Sequence, residues 1–295
     1  MIAIDWGTSS LRAYRLDAYG EILETRRSDQ GILASTGRFA HVLCEMVGQW
    51  TGELLLCGMV GSRNGWIEQP YLACPVNADA LAAAMQAHQD PDLPGRRLWF
   101  VPGVVTHTLA GVPDVMRGEE TQIAGLLPTL GPGKHTLCLP GTHCKWARVE
   151  DGTLIDFATT MTGEMYALLR GHSILGKLMN ADEDSLHEDA FALGVTRSGE
   201  PGGLSHHLFG TRTLGLFEYL PAAALPSYLS GILIGHEIRD RRPIGDMVHL
   251  VGHPGLSKRY AHALGLLGID SMCHGEDLAA TGLHLLAYQR DLHAI

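Results

Sequence analysis

The chain has 295 residues, 45% of them hydrophobic and 18% charged, with a formal net charge of −10. That length exceeds what one core comfortably serves, so two domains are expected in a soluble globular protein. The acid excess excludes a broadly basic nucleic-acid-binding face, although a local pocket can still oppose the global charge and take an anion.

No apolar run reaches the ~18 residues of a membrane span, so no membrane partner is expected. No basic n-region with an apolar h-region opens the chain, so no secretory signal is read. The six cysteines, at 44, 57, 74, 138, 144 and 273, are dispersed without a C-x-x-C pair. Scattered thiols of this kind fit a reducing compartment, and a cytoplasmic location is expected.

In chain order, Ile2-Ala3-Ile4-Asp5-Trp6-Gly7-Thr8-Ser9-Ser10-Leu11-Arg12 reads as an apolar strand, a small polar turn and a return strand. A third strand starts at Glu21-Ile22-Leu23, after Ala18-Tyr19-Gly20. Phe39, Val42, Leu43, Met46 and Val47 have helical spacing, with Ser35-Thr36 placed as the cap. Glu53–Cys57 is a short apolar strand, Asn77 caps a helix around Leu81 and Met85, and Leu98–Val101 returns as a strand. The stretch Glu119–Leu127 reads as a helix stopped by Pro128. Strands paired first and then alternating with helices imply a mixed sheet with helices packed on it.

Gly131-Pro132-Gly133 marks the expected domain boundary, giving domains over 1–130 and 131–295. The second begins by repeating the first. Leu137-Cys138-Leu139-Pro140-Gly141-Thr142-His143-Cys144-Lys145-Trp146 has the same strand–turn–strand grammar, with a return turn at Asp151-Gly152 and a strand from Thr153. Helices are expected near Glu188–Ser198, over Tyr228–Arg239, from Leu256 and from Asp277, with strands at Met247–Val251 and Ile269–Met272. The fold class is therefore α/β, built by duplication of one unit.

Gly7-Thr8-Ser9-Ser10 and Gly141-Thr142-His143 are short turns of small residues. Glycine lets a backbone approach a phosphate closely, and Thr and Ser add donors. Two such turns facing each other would clamp a polyphosphate, the arrangement an ATP-dependent kinase needs. Asp5 cannot attract phosphate itself; its role would be an oxygen ligand to hydrated Mg²⁺. Lys145 either neutralises phosphate charge or points outward. Neither G-x-x-x-x-G-K-[ST] nor G-x-G-x-x-G occurs. Of the sixteen histidines, His206-His207, Cys273-His274 and His143-Cys144 form isolated pairs without the spacing of a zinc site.

Five segments in order carry a family resemblance: Ile4-Asp5-Trp6-Gly7-Thr8-Ser9, Gly58-Met59-Val60-Gly61-Ser62-Arg63-Asn64-Gly65-Trp66, Met116-Arg117-Gly118-Glu119-Glu120-Thr121-Gln122, Leu139–Trp146 and Met161-Thr162-Gly163-Glu164. Over essentially its whole length the chain resembles the 2-dehydro-3-deoxygalactonokinase family. That family lies in the sugar-kinase branch of the actin–hexokinase–heat-shock-chaperone ATPase superfamily. The resemblance implies two ribonuclease-H-like domains closing over a central nucleotide cleft. It also implies transfer of the ATP γ-phosphoryl group to the 6-hydroxyl of 2-dehydro-3-deoxy-D-galactonate. Cys144 stands where the family pattern has serine, so a phosphate contact from that side chain is in doubt.

Phosphoryl transfer asks for positioning, charge stabilisation and an acceptor for the hydroxyl proton. By resemblance Glu120 is the first choice for that base, Glu119 the second and Asp114 a distant third. Acidic residues in a first helical turn also favour the helix dipole without any catalytic role. Arg63, after Gly61-Ser62, offers a fork suited to the substrate carboxylate. Arg117 offers a second positive group or an internal ion pair. Glu164 resembles the position that bonds substrate hydroxyls, and Gly252 and Gly255 resemble the adenosine-binding turn. The competing readings are a kinase for another small sugar or hydroxy acid, and an actin-like switch ATPase with no small acceptor. A homodimer is the expected assembly, from the prevalence of twofold oligomers.

Overall fold

A computed structural model describes residues 1–107, 110–180, 185–241 and 247–292. The chain forms two compact units. The first takes Met1–Lys134, Ala147–Phe157 and Glu276–Ile295, and the second takes His135–Trp146 and Ala158–Gly275. The expected division at 130/131 differs from this one over 131–134, Ala147–Phe157 and Glu276–Ile295, which group with the first unit.

In the first unit β1 (Ile2–Trp6), β2 (Leu11–Leu16) and β3 (Ile22–Ser28) form an antiparallel meander. Every residue of β1 except Asp5 is buried, as befits an interior strand covered on both faces. Helices α1 (Ile32–Ser35) and α2 (Phe39–Val47) lead to β4 (Leu54–Cys57), wholly buried and parallel to β1 with Cys57 opposite Asp5. Then come β5 (Tyr71–Ala73), β6 (Val76–Asn77), α3 (Ala78–Ala84), β7 (Gln86–His88), β8 (Leu98–Phe100), β9 (Gly103–His107), β10 (Pro113–Met116) and α4 (Glu119–Leu126). The main sheet has the order β3-β2-β1-β4-β8-β7, and β10-β9-β5 forms a second sheet. Ile4, Trp6, Leu43, Leu54, Leu56 and Phe100 lie in the core between the main sheet and α2.

Two caps were expected on this unit, and one differs. Asn77 accepts the Ala80 N–H at 2.9 Å and starts α3. Asn77→Ala should therefore lower stability by about 1 kcal/mol, read as a lower denaturation midpoint. Ser35 and Thr36 do not cap α2. Their hydroxyls donate backwards, to the carbonyls of Gln30 at 3.0 Å and Ile32 at 3.2 Å, and so close α1. Short hydroxyl side chains compete for local backbone groups in this way. Arg38 precedes α2 without a side-chain cap.

A further sheet begins with β11 (Lys134–Leu139), β12 (Cys144–Glu150) and β13 (Thr153–Thr160), and the chain goes on through α5 (Thr162–His172), α6 (Glu188–Arg197), α7 (Gly203–Leu216) and α8 (Leu225–Arg241). Next are β14 (Met247–Val251), α9 (Pro254–Leu266) and β15 (Asp270–His274). Strand β14 is parallel to both β11 and β15, giving the order β15-β14-β11-β12-β13 in a six-stranded sheet that β6 completes beside β13. This matches β8-β4-β1-β2-β3, so the duplicated opening of the sequence is a duplicated topology. Helix α8 is buried from Leu225 to Gly235, the mark of a central helix.

The last helix, α10 (Leu278–Gln289), belongs to the first unit and crosses α4 there. The crossing is made by glycines. A Cβ on Gly125 would stand 2.2 Å from the Leu278 carbonyl, and one on Gly282 would stand 1.9 Å from the Thr121 carbonyl. Among the described residues no helix is long and apolar enough to cross a membrane.

Candidate active site

The first unit gathers its carboxylates where β1 and β4 end. Gly58, at φ +92°, lies against β1; a Cβ there would stand 2.8 Å from the Trp6 carbonyl and 3.4 Å from Asp5 Oδ1. Gly118, at φ +109°, lies in turn against Gly58, where its Cβ would be 3.1 Å from the Gly58 Cα. Both positions demand glycine. This double close approach brings the first turn of α4, with Glu119 and Glu120, to the end of β1.

Asp5 lies 3.8 Å from Arg12, which is 3.3 Å from Glu276. Burial pushes the Asp5 carboxyl up to about 6; Arg12 pulls against this, while the charges of Glu119 and Glu276 add to the rise. Glu120 is 1% exposed and accepts the Gly118 N–H at 2.6 Å and the Thr121 hydroxyl at 3.0 Å. Burial pushes its carboxyl up to about 7, the Glu119 charge adds to that, and those hydrogen bonds oppose it. Glu119 is less buried and accepts the Arg117 N–H at 3.1 Å. Buried Cys57 feels both Asp5 and Glu120, which places it beside the two carboxyls. Asp114 stands on β10 opposite Thr106.

The turn Gly7-Thr8-Ser9-Ser10 closes with Gly7 N–H to the Ser10 carbonyl at 2.9 Å, and Thr8, Ser9 and Ser10 are exposed. The N–H of Ile32, opening α1, holds the Gly7 carbonyl at 3.0 Å. Gly61 and Ser62 are buried at the end of a 3₁₀ turn, and Arg63 beyond them is exposed.

In the second unit Thr142 and His143 are exposed at the tip between β11 and β12. The turn rests on the start of α5. Glu164 N–H donates to the Thr142 carbonyl at 3.0 Å, and a Cβ on Gly163 would stand 2.3 Å from the Gly141 carbonyl. The Glu164 carboxylate lies 2.5 Å from His143 Nε2. Glu164 thus belongs with this turn, whereas Gly61, Ser62 and Arg63 belong to the first unit.

Lys145 is buried on β12 rather than pointing outward. Cys144 faces the core, its sulfur 3.5 Å from that of Cys138. These thiols lie with Glu237, which accepts Trp146 Nε1–H at 2.5 Å and the Tyr260 hydroxyl at 2.9 Å. Among the described residues this is the one group of three that could ligate a metal. No local pattern signals it, because Glu237 comes from α8, far along the chain.

Gly252 has φ +140°, a conformation that calls for glycine, and His253 Nδ1 accepts the Gly255 N–H at 3.2 Å to start α9. Beyond them a narrow cavity beside Gly141 is lined by Tyr166, Leu233, Ile234, Leu256, Arg259 and Tyr260, among others. Gly141, Thr162 and Gly163, which line it, lie in segments that carry the family resemblance, whereas Gly252 and Gly255 do not line it. Glu276 was also missed, since no pattern links it to Asp5.

The 2-keto-3-deoxy-galactonokinase family pattern matches residues 5–286. The chain is 34% identical over 296 residues to the Escherichia coli (strain K12) 2-dehydro-3-deoxygalactonokinase, covering 97% of each chain. A crystal structure of a proposed 2-dehydro-3-deoxygalactonokinase from Sinorhizobium meliloti superposes with a TM-score of 0.89 at 35% identity, over 97% of this chain and 95% of that one. The activator of 2-hydroxyisocaproyl-CoA dehydratase from Clostridium difficile, solved with bound ADPNP, gives a TM-score of 0.54 at 11% identity, over 99% of this chain and 95% of that one. That second likeness shows a shared fold alone, a duplicated α/β fold. Fold and sequence agree: the chain belongs to the 2-keto-3-deoxy-galactonokinase family.

Proposed function

We propose that this chain transfers the γ-phosphoryl group of ATP to the 6-hydroxyl of 2-dehydro-3-deoxy-D-galactonate. Near-full-length likeness to a kinase named for that acid is the observation that carries the reading. The geometry of each unit fits the parts such a reaction needs.

In the first unit Glu120 takes the proton of the attacking hydroxyl, with Glu119 as the neighbour to test beside it. A carboxyl held near 7 is suited to a base that works at neutral pH. Gly61, Ser62 and Arg63 contact the acceptor, and Gly7, Thr8 and Ser9 meet phosphate. Asp5, with the charges of Glu119 and Glu276 around it, is an oxygen-donor set that fits a divalent cation, Mg²⁺ being the expected ion. Such an ion, when bound, offsets the charge of the transferring phosphates.

In the second unit Gly141, Thr142, His143 and Lys145 hold phosphate, backed by the N-terminus of α5, whose dipole favours anions. Gly252 and Gly255 lead the nucleoside to the cavity walled by Tyr166, Leu256 and Tyr260. Glu164, paired with His143, orients that turn and bonds a substrate hydroxyl. A homodimer in the cytoplasm completes the reading, with a small sugar acid as the partner and no nucleic acid.

ADP release from Mg-ATP, measured with and without the sugar acid, tests it. Turnover that depends on the acid is the expected result; ATP hydrolysis indifferent to it would put a switch ATPase in its place. The pH profile is a second check. Glu120 must be ionised to accept a proton, so kcat/KM should rise through an apparent pKa near 7 and level off above it. A flat profile between pH 6 and 8 would remove Glu120 from the base role.

A further inference from the structure

Around Gly61 the first unit buries polar atoms that its own groups leave without partners. Arg117, directly after β10, is 7% exposed. Its Nη2 donates to the Gln69 carbonyl at 2.8 Å, while Nε and Nη1 have no hydrogen-bond partner. The half-exposed Tyr71 ring covers the guanidinium, with its centroid 4.3 Å from Cζ. A Cβ on Gly61 would stand 3.2 Å from Arg117 Nη1 and 3.2 Å from Gln69 Cγ, so both side chains converge on that glycine. Ser62 Oγ and Gln69 Oε1, in residues 6% and 1% exposed, are unpartnered as well.

Buried polar groups are normally satisfied, and a buried charge without a partner is costly. Around Gly61, two Arg117 donors, the Ser62 hydroxyl and the Gln69 amide oxygen are thus all buried without hydrogen-bond partners. Among the described residues no carboxylate accepts a hydrogen bond from the Arg117 side chain.

We infer that Arg117, assisted by Ser62, is the group that recognises the carboxylate of the acceptor, with Tyr71 as the cover that shifts to admit it. The inference rests on the reading that the acceptor is a sugar acid. Arg117 N–H groups and the Ser62 hydroxyl donate to the carboxylate, and Gln69 Oε1 accepts from a neighbouring substrate hydroxyl. The exposed Arg63 is the weaker candidate for this contact, because a solvent-screened ion pair contributes little. A desolvated guanidinium gives both charge and fixed donor geometry.

The test uses the sugar acid and its C1 amide with wild-type protein, Arg117→Met, Arg117→Lys, Ser62→Ala and Arg63→Met, with a melting curve for each. Arg117→Met is expected to raise KM for the acid by roughly 10- to 100-fold. KM for ATP should hold steady, and most of the preference for acid over amide should disappear. Arg63→Met, whose contact with the acceptor lies away from the carboxylate, should change KM for acid and amide alike and so keep their ratio. If Arg117→Met does not fold, Arg117→Lys and Ser62→Ala carry the same comparison. Pyruvate, a minimal 2-keto carboxylate, should compete with the acid in wild-type protein and compete less in those two variants. Folded Arg117 variants that keep the full preference for acid would overturn this inference alone. Wild-type protein inert toward the acid would overturn the acceptor assignment and this inference together.

Discussion

Glu120→Gln is expected to lower kcat by about 10²- to 10⁴-fold, the usual contribution of a positioned general base. The amide keeps the shape, and its oxygen can still accept the Gly118 N–H. What is lost is the capacity to take a proton. Glu119→Gln should cost less than about tenfold, its part being to place negative charge near Asp5 and Glu120. The reverse ranking would move the base to Glu119.

The same substitution should make the protein more stable in a defined pH window. The folded carboxyl is raised from 4.5 to about 7. Below the unfolded value both states are protonated and the residue is neutral in its effect. Between 4.5 and 7 the unfolded state ionises while the folded one does not, so the native state loses ground as pH rises. Above 7 the full penalty applies, on the order of 3 kcal/mol for that shift. Glu120→Gln should therefore raise the melting temperature at pH 8 and leave it nearly unchanged at pH 4. Equal effects at both pH values would mean that Glu120 is not held in its high-pKa environment.

Gly282→Ala is the second large effect. Its Cβ would stand 1.9 Å from the Thr121 carbonyl, a backbone atom that cannot step aside. Helices α4 and α10 must separate, which typically costs about 1–3 kcal/mol and sometimes more. The movement falls on the turn of α4 that carries Glu120 and on Thr121, whose hydroxyl bonds it. A displacement of about an ångström at a reacting group is enough for a 10²-fold loss of rate. Gly265→Ala on α9 is the control: a Cβ there meets nothing within 4 Å, so removing a helical glycine should be neutral or stabilising by up to about 1 kcal/mol. Unchanged melting and kcat in Gly282→Ala would contradict the tight crossing.

Much of the layout could be read from residue pattern. The two opening meanders announce themselves as apolar runs broken by Gly-Thr turns, and Asn77 caps where its side-chain chemistry says it should. Other elements lacked a local signal. Helix α5 has no buried residue and α7 only His207 and Thr211, so neither shows an apolar stripe. The small β10-β9-β5 sheet pairs Tyr71 with Gly103, a non-local match between very short strands. The return of α10 to the first unit depends on Gly125 and Gly282 meeting, which no periodicity encodes. In the site, Asp5 and Glu119-Glu120 were visible by residue type, whereas the proximity of Glu276 to Asp5 and the unpartnered atoms of Arg117 exist only after folding.

Phosphorus NMR of the products after incubation with Mg-ATP and 2-dehydro-3-deoxy-D-galactonate shows which hydroxyl of the acid receives the γ-phosphoryl group. A new phosphomonoester coupled to the C6 methylene protons, formed in step with ADP and about 10²- to 10⁴-fold more slowly with Glu120→Gln, is the expected result. ADP and inorganic phosphate without any sugar phosphate would contradict the account.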